Sequence, residues 1–121
     1  MKSSLLLTLL LLIFNGFSTA YAATQASEAE LPVISIQASR FVYSPNKIKL
    51  KQGQSVVLEI EATDHLHGFS IPELKVRVDA PQGQKIRVVL TPTKAGVFVF
   101  YCDIFCGSGH EEMSGEISVE S

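Results

Sequence analysis

The sequence predicts an all-β fold, a sandwich or barrel of short strands. Three observations carry that expectation. Apolar and polar residues alternate with a period of two in several short runs, the mark of strands with one buried face. Turn signals built on Gly and Pro separate these runs at regular spacing, as in β-sandwiches and barrels. Beyond the amino-terminal leader there is no convincing helical period and no internal repeat.

Taken in order, Pro32 opens a strand-like run over 33–38, and Phe41, Val42 and Tyr43 continue it to the turn signal Ser44-Pro45-Asn46. Ile48 and Leu50 alternate with Lys47, Lys49 and Lys51. Gln52-Gly53-Gln54 turns the chain, after which Val56, Leu58 and Ile60 alternate against Val57, Glu59 and Glu61. Farther on, Val76 and Val78 alternate with Lys75, Arg77 and Asp79, before a turn at Ala80-Pro81-Gln82-Gly83. Residues 86–90 form an apolar run rich in β-branched side chains, and 92–96 turn again. Residues 97–101 are apolar throughout, as expected of a strand buried on both faces. Ile117 and Val119 alternate with Glu116, Ser118 and Glu120 in the closing strand. Antiparallel strands that bury one face and wet the other suit these patterns.

A chain of 121 residues is expected to hold one domain. It opens with Met1-Lys2-Ser3-Ser4 and an apolar run over 5–14, the layout of a secretory signal peptide. Ala20-Tyr21-Ala22 supplies the small-x-small pattern, so cleavage is expected after Ala22, with Ala23 as the alternative. A retained membrane anchor fits less well, because the run is short and Asn15, Gly16 and Ser18 interrupt it. The expected organisation is a signal peptide at 1–22, a small polar leader at 23–30 and one domain at 31–121. That implies a periplasmic or otherwise exported protein without a stable membrane anchor. The formal net charge of −2 and the absence of a basic stripe argue against nucleic acid as a partner.

The chemistry is concentrated in residues 101–115, Y-C-D-I-F-C-G-S-G-H-E-E-M-S-G. Both cysteines of the chain, Cys102 and Cys106, lie here, followed by His110 and Met113 at C-x3-C-x3-H-x2-M spacing. In an exported protein two cysteines suggest a disulfide. The histidine and methionine at metal-ligand intervals turn the reading toward a soft metal site. Thiolate, imidazole and thioether donors select copper over hard cations. A mononuclear blue-copper site needs one cysteine, two histidines and a weak methionine. The second cysteine is surplus to that design, whereas two bridging thiolates hold two coppers side by side. A second histidine is then needed, and Asp64-His65-Leu66-His67-Gly68-Phe69 supplies two candidates. His65 and His67 point to the same side of an extended chain, so either is a possible ligand. Glu111 and Glu112 read as solvated surface, and Asp103 as a group that tunes the site or bonds nearby backbone. No acid–base pair or activated nucleophile stands out.

Residues 102–113, with His67 upstream, resemble the dinuclear copper A (CuA) site of cytochrome c oxidase subunit II, and of the cupredoxin domain of nitrous-oxide reductase. Residues 64–72 and 75–83 resemble the subunit II segments around the first histidine ligand. The resemblance implies a cupredoxin, a Greek-key β-sandwich or barrel, that moves single electrons and is not itself an enzyme. It implies that Cys102 and Cys106 bridge two coppers. His67 and Met113 would complete one copper; His110 and the backbone carbonyl of Ile104 would complete the other. It favours His67 over His65. Partners so implied are a cytochrome c or a terminal oxidase or reductase. The chain departs from subunit II in having Ile104 where a glutamate is usual, and in lacking tryptophan and a transmembrane hairpin. A periplasmic copper chaperone or storage protein is the competing function. A thiol-disulfide oxidoreductase fits poorly, since C-x3-C late in a β-rich chain is not the C-x-x-C of that class.

Overall fold

The computed structural model describes residues 30–105 and 107–121. The predicted signal peptide, and the predicted leader up to residue 29, lie outside the described residues. Nine strands form two sheets: β1 (Val33–Ser39), β2 (Val42–Ser44), β3 (Lys47–Lys51), β4 (Val56–Ala62), β5 (His67–Ile71), β6 (Val76–Ala80), β7 (Lys85–Leu90), β8 (Gly96–Tyr101) and β9 (Ser114–Glu120). One sheet has the order β2-β1-β4-β7, the other β3-β9-β8-β5-β6. Short 3-10 turns lie at Pro72–Leu74 and His110–Glu112. None of these helices is long and apolar enough to cross a membrane.

The alternating residues meet between the sheets. Ile36, Leu58 and Ile60 from one sheet pack with Ile48, Leu50, Phe69, Phe100, Ile117 and Val119 from the other in one buried cluster. Tyr43, Phe69 and Phe100 form its aromatic centre, with ring centroids 5.1–5.7 Å apart. The two pairs that involve Tyr43 are edge-on. Such aromatic pairs contribute about 0.5–1.5 kcal/mol beyond their buried area.

Three strand expectations need correction. Phe41 to Tyr43 do not continue β1: the chain reverses after Ser39, and β2 folds back antiparallel with Gln37 opposite Ser44. Residues 97–101 are not buried on both faces. Phe98 and Phe100 face the core, while Val97, Val99 and Tyr101 are 58, 46 and 40% exposed on the outer surface of the sheet. Alternation is still obeyed, but the outward positions are apolar, so composition imitated a doubly buried strand. Val57 is the reverse case, fully buried at a position expected to face water. It lies between Val33 and Val89 on the adjacent strands, and these outer neighbours cover it. Two strand pairs, β1–β4 and β3–β9, are parallel, which alternation alone does not show.

Across β4 and β7, Glu59 accepts from Arg87 Nε at 2.9 Å, and Lys85 Nζ lies 3.7 Å away. The Arg87 hydrogen bond holds the Glu59 carboxyl below its ordinary value of 4.5. A depressed carboxyl contributes stability above its unfolded pKa and loses it as pH falls through the folded value. Glu59→Gln should therefore destabilise the metal-free domain at neutral pH, with the gap to wild type closing below about pH 4.5. Urea unfolding at a series of pH values checks this; a gap that stays constant into acid would exclude it.

Candidate metal centre

Three strand ends of the five-stranded sheet converge on the cysteine loop. His67 is the first residue of β5, Cys102 follows β8, and Met113 precedes β9. The β8–β9 register runs from Gly96 opposite Val119 to Tyr101 opposite Ser114. One step further the Cys102 N–H donates to the Met113 carbonyl at 3.1 Å. Ser70 of β5 stands opposite Tyr101, which brings the start of β5 alongside Cys102. The Gly68 N–H then donates to Cys102 Sγ at 3.4 Å, and the thiol donates to the Ile104 carbonyl at 3.3 Å. Cys102 is a buried free thiol, and His67 and Met113 are fully buried. His110 opens the 3-10 turn that closes on Met113, whose N–H donates to the His110 carbonyl at 3.1 Å. His67, Cys102, the Ile104 carbonyl, His110 and Met113 are thus linked through one small region. Cys106 lies outside the described residues.

The state of His67 bears on what this region can hold. Its Nε2 lies 2.7 Å from Asp64 Oδ1. Burial alone would raise the Asp64 carboxyl, but hydrogen bonds from His67 and the Arg40 N–H, with the two nearby imidazoles, hold it at about 2. An ionised carboxylate only accepts, so Nε2 donates the proton of this hydrogen bond. That Nδ1 is buried and has no hydrogen-bond partner. A buried polar atom left unpaired costs free energy unless something completes it. A metal-ligating histidine typically donates its other ring N–H to a carboxylate, and His67 is arranged in that way. With a thiol, a thioether and a carbonyl oxygen close by, the donors suit copper.

Asp64, His65 and His67 also present one ligand atom each within 4.8 Å of one another. However, the Arg40 Nε donates to His65 Nε2 at 2.8 Å, and His65 Nδ1 faces the Leu66 carbonyl at 2.8 Å. Both nitrogens of His65 are engaged, so this trio orients His67 rather than forming a second donor cage.

The surrounding chain holds the loop in place. The β1–β2 reversal sets Phe41 against Gly109, where φ is +100° and an added Cβ would lie 3.0 Å from the Phe41 ring. Tyr43 donates its hydroxyl hydrogen to the Gly68 carbonyl. Asp103 is gripped by a two-pronged contact from Arg77 on β6, through Nε and Nη2 at 2.9 Å each. That pairing holds the Asp103 carboxyl below its ordinary range. Arg77 also binds Asp79. The expectation that Asp103 bonds nearby backbone omitted this ion pair, and the roles of Asp64, Tyr43 and Phe41 were also missed. The spacing of Asp64 three residues before His67 was the one available signal.

The comparisons place this geometry among known proteins. Residues 7–119 match the model of the cupredoxin-like domain. The chain belongs to the cupredoxin-like domain family. It is 33% identical over 85 residues to cytochrome c oxidase subunit 2 of Thermus thermophilus, covering 70% of this chain and 63% of that one. It is 34% identical over 83 residues to the nitrous-oxide reductase of Ralstonia nicotianae, covering 65% of this chain and 13% of that protein. The cupredoxin therefore spans less than two thirds of the length of these relatives. Among solved structures, the periplasmic domain of cytochrome oxidase subunit II from Bradyrhizobium japonicum superposes with a TM-score of 0.68 at 18% identity. That match covers 74% of this chain and 84% of the other, and shows the shared fold.

Gly68 offers a test of how the cupredoxin braces its loop. An added Cβ would lie 2.0 Å from Asp103 Oδ1, so the carboxylate must leave its place on Arg77. Gly68→Ala should destabilise the domain by about 1–3 kcal/mol, the usual cost of overpacking. Gly68→Ala combined with Asp103→Ala should lose less than the two single losses added together, because one clash links them. Strict additivity in denaturant unfolding would show that Asp103 is not the obstacle.

Proposed function

We propose that the domain is an exported one-electron carrier with a dinuclear copper centre of the CuA type. The observation that carries this is the buried, unpartnered Nδ1 of His67, whose ring is oriented by the Nε2–Asp64 hydrogen bond beside the Cys102 segment. Cys102 and Cys106 would hold both coppers, with His67 and Met113 completing the donor set of one and His110 and the Ile104 carbonyl that of the other. A bound pair of bridged coppers supplies a delocalised one-electron redox couple that needs little structural change. The protein's share is to fix the donors in advance. Asp64 orients the His67 ring, and the Cys102–Met113 backbone bond closes the loop. The buried surroundings of Cys102, His67 and Met113 keep water from competing as a ligand.

The relatives named as subunit 2 of cytochrome c oxidase support an electron-transfer role, with a cytochrome c or a terminal oxidase or reductase as partner. Ile104 gives this chain no carboxylate where the subunit II pattern has one, which favours a carrier outside the oxidase core.

The copper-loaded domain should hold two coppers per chain. It should show a purple mixed-valence state whose electron-spin-resonance hyperfine lines require two equivalent copper nuclei. One copper with a blue-copper spectrum would exclude the dinuclear assignment. Cys102→Ser and Cys106→Ser should each abolish the purple state, whereas Met113→Leu should keep two coppers with a shifted potential, since the thioether is a weak axial donor. Equal metal loss in all three variants would overturn that ranking.

A further inference from the structure

A cavity of about 490 Å³ opens between the Pro72–Leu74 turn and the connection from β7 to β8. β5 runs from His67 toward this turn, and β8 runs from this connection toward Cys102. The cavity therefore lies at the strand ends away from the cysteine loop. We propose that it is a binding site for a small amphiphilic monoanion, a carboxylate carried on a short hydrocarbon chain. The proposal does not depend on the copper reading, because none of the described candidate donors lines the cavity.

The floor is apolar. Leu90 and Phe98 are buried there, and Leu74 packs against the core cluster beside them. The exposed lining residues are polar: Thr91 and Thr93 bring hydroxyls, Lys75 and Lys94 bring ammonium groups, and Glu73 brings a carboxylate. Small-molecule sites occupy roughly 300–1,000 Å³ and combine apolar walls with a few placed polar groups. A hydrocarbon tail on this floor leaves water, while a headgroup at the mouth keeps it.

Charge selects the headgroup. The ion pairs among the described residues involve neither Lys75 nor Lys94, so both ammonium groups are available to a ligand. Glu73 is the one carboxylate among the described lining residues. Two ammonium groups against one carboxylate leave a single positive charge, which suits a monoanion better than a dianion or a cation. The Thr91 hydroxyl lies 2.6 Å from that of Ser55. When Ser55 donates, Thr91 keeps its own hydrogen for a ligand oxygen.

The walls are set before a ligand arrives. The β7–β8 connection is tied to the turn between β3 and β4. The Gly53 N–H donates to the Pro92 carbonyl at 2.7 Å, and Gln52 Nε2 donates to the Thr93 carbonyl at 2.9 Å. On the other wall, the Lys75 N–H closes the 3-10 turn on the Pro72 carbonyl at 3.1 Å. Lys75 takes a left-handed backbone there, with φ at +55°, which is uncommon for a residue with a side chain. A preformed site loses less freedom on binding.

The test titrates hexanoate into the isotope-labelled protein, with and without copper, and follows the backbone amides by NMR. Saturable shifts should appear at Leu74, Lys75, Thr91, Lys94 and Phe98 and not at Cys102 or Met113. Half-saturation should fall at millimolar concentration, as a ligand with few contacts allows. Acetate lacks the tail and hexanol lacks the charge, so each should bind about fivefold more weakly or worse. Lys75→Gln combined with Lys94→Gln should weaken hexanoate by a similar factor and leave hexanol unchanged, with the amide spectrum away from the cavity unaltered. Glu73→Gln should tighten hexanoate. Absence of saturable shifts in the wild-type protein would overturn the site. Shifts spread equally over Lys47, Lys49 and Lys51 would overturn it as well, by showing anion binding to any exposed lysine. Equal affinity for hexanol and hexanoate, or an unaffected double variant, would remove the anion from the assignment and so overturn it.

Discussion

The backbone bond from the Cys102 N–H to the Met113 carbonyl closes residues 102–113 into a ring whose two ends are themselves candidate donors. Around that ring the fold supplies what a loop lacks alone. β8 and β9 enter and leave it in fixed register, and β5 brings His67 beside it. The ring is therefore anchored to the middle of a five-stranded sheet, between two strands whose inner faces build the core. Preorganisation of this kind fixes Cys102, Met113 and His67 relative to one another through the strands that carry them.

Polar contacts refine what the strands have positioned. Asp64 orients the His67 ring, Arg77 holds Asp103, and Tyr43 reaches from the aromatic centre of the core to the Gly68 carbonyl. Each contact crosses between segments distant in sequence, apart from the local Asp64–His67 bond. The Arg77–Asp103 pair is partly exposed, where ion pairs contribute little to stability. Its weight lies in geometry: it sets the direction in which the chain leaves Cys102.

Much of the fold was legible because alternation at period two records burial directly. Ile48, Leu50, Ile117 and Val119 are buried where the pattern put them. The pattern failed where outward positions carry valine or tyrosine, as in β8, because composition does not state which face a side chain takes. It also failed at residues 39–42, where a reversal joins two runs that are each strand-like. That reversal positions Arg40 and Phe41, so the same error hid two residues that touch the site. The cysteine loop stood out as a candidate because donor type and interval are local properties of the sequence. The Asp103–Arg77 pair was not, since its partners are 26 residues apart and meet only through sheet pairing.

The lysines of β3 have a consequence outside the site. β3 is an edge of the five-stranded sheet, so its outer backbone is a template for another chain to add a strand. Lys47, Lys49 and Lys51 are all exposed along it, while Ile48 and Leu50 turn inward. A second copy approaching edge to edge would bring its own row of ammonium groups against this one. Like-charge repulsion along that border keeps the sheets of neighbouring molecules from merging into larger aggregates.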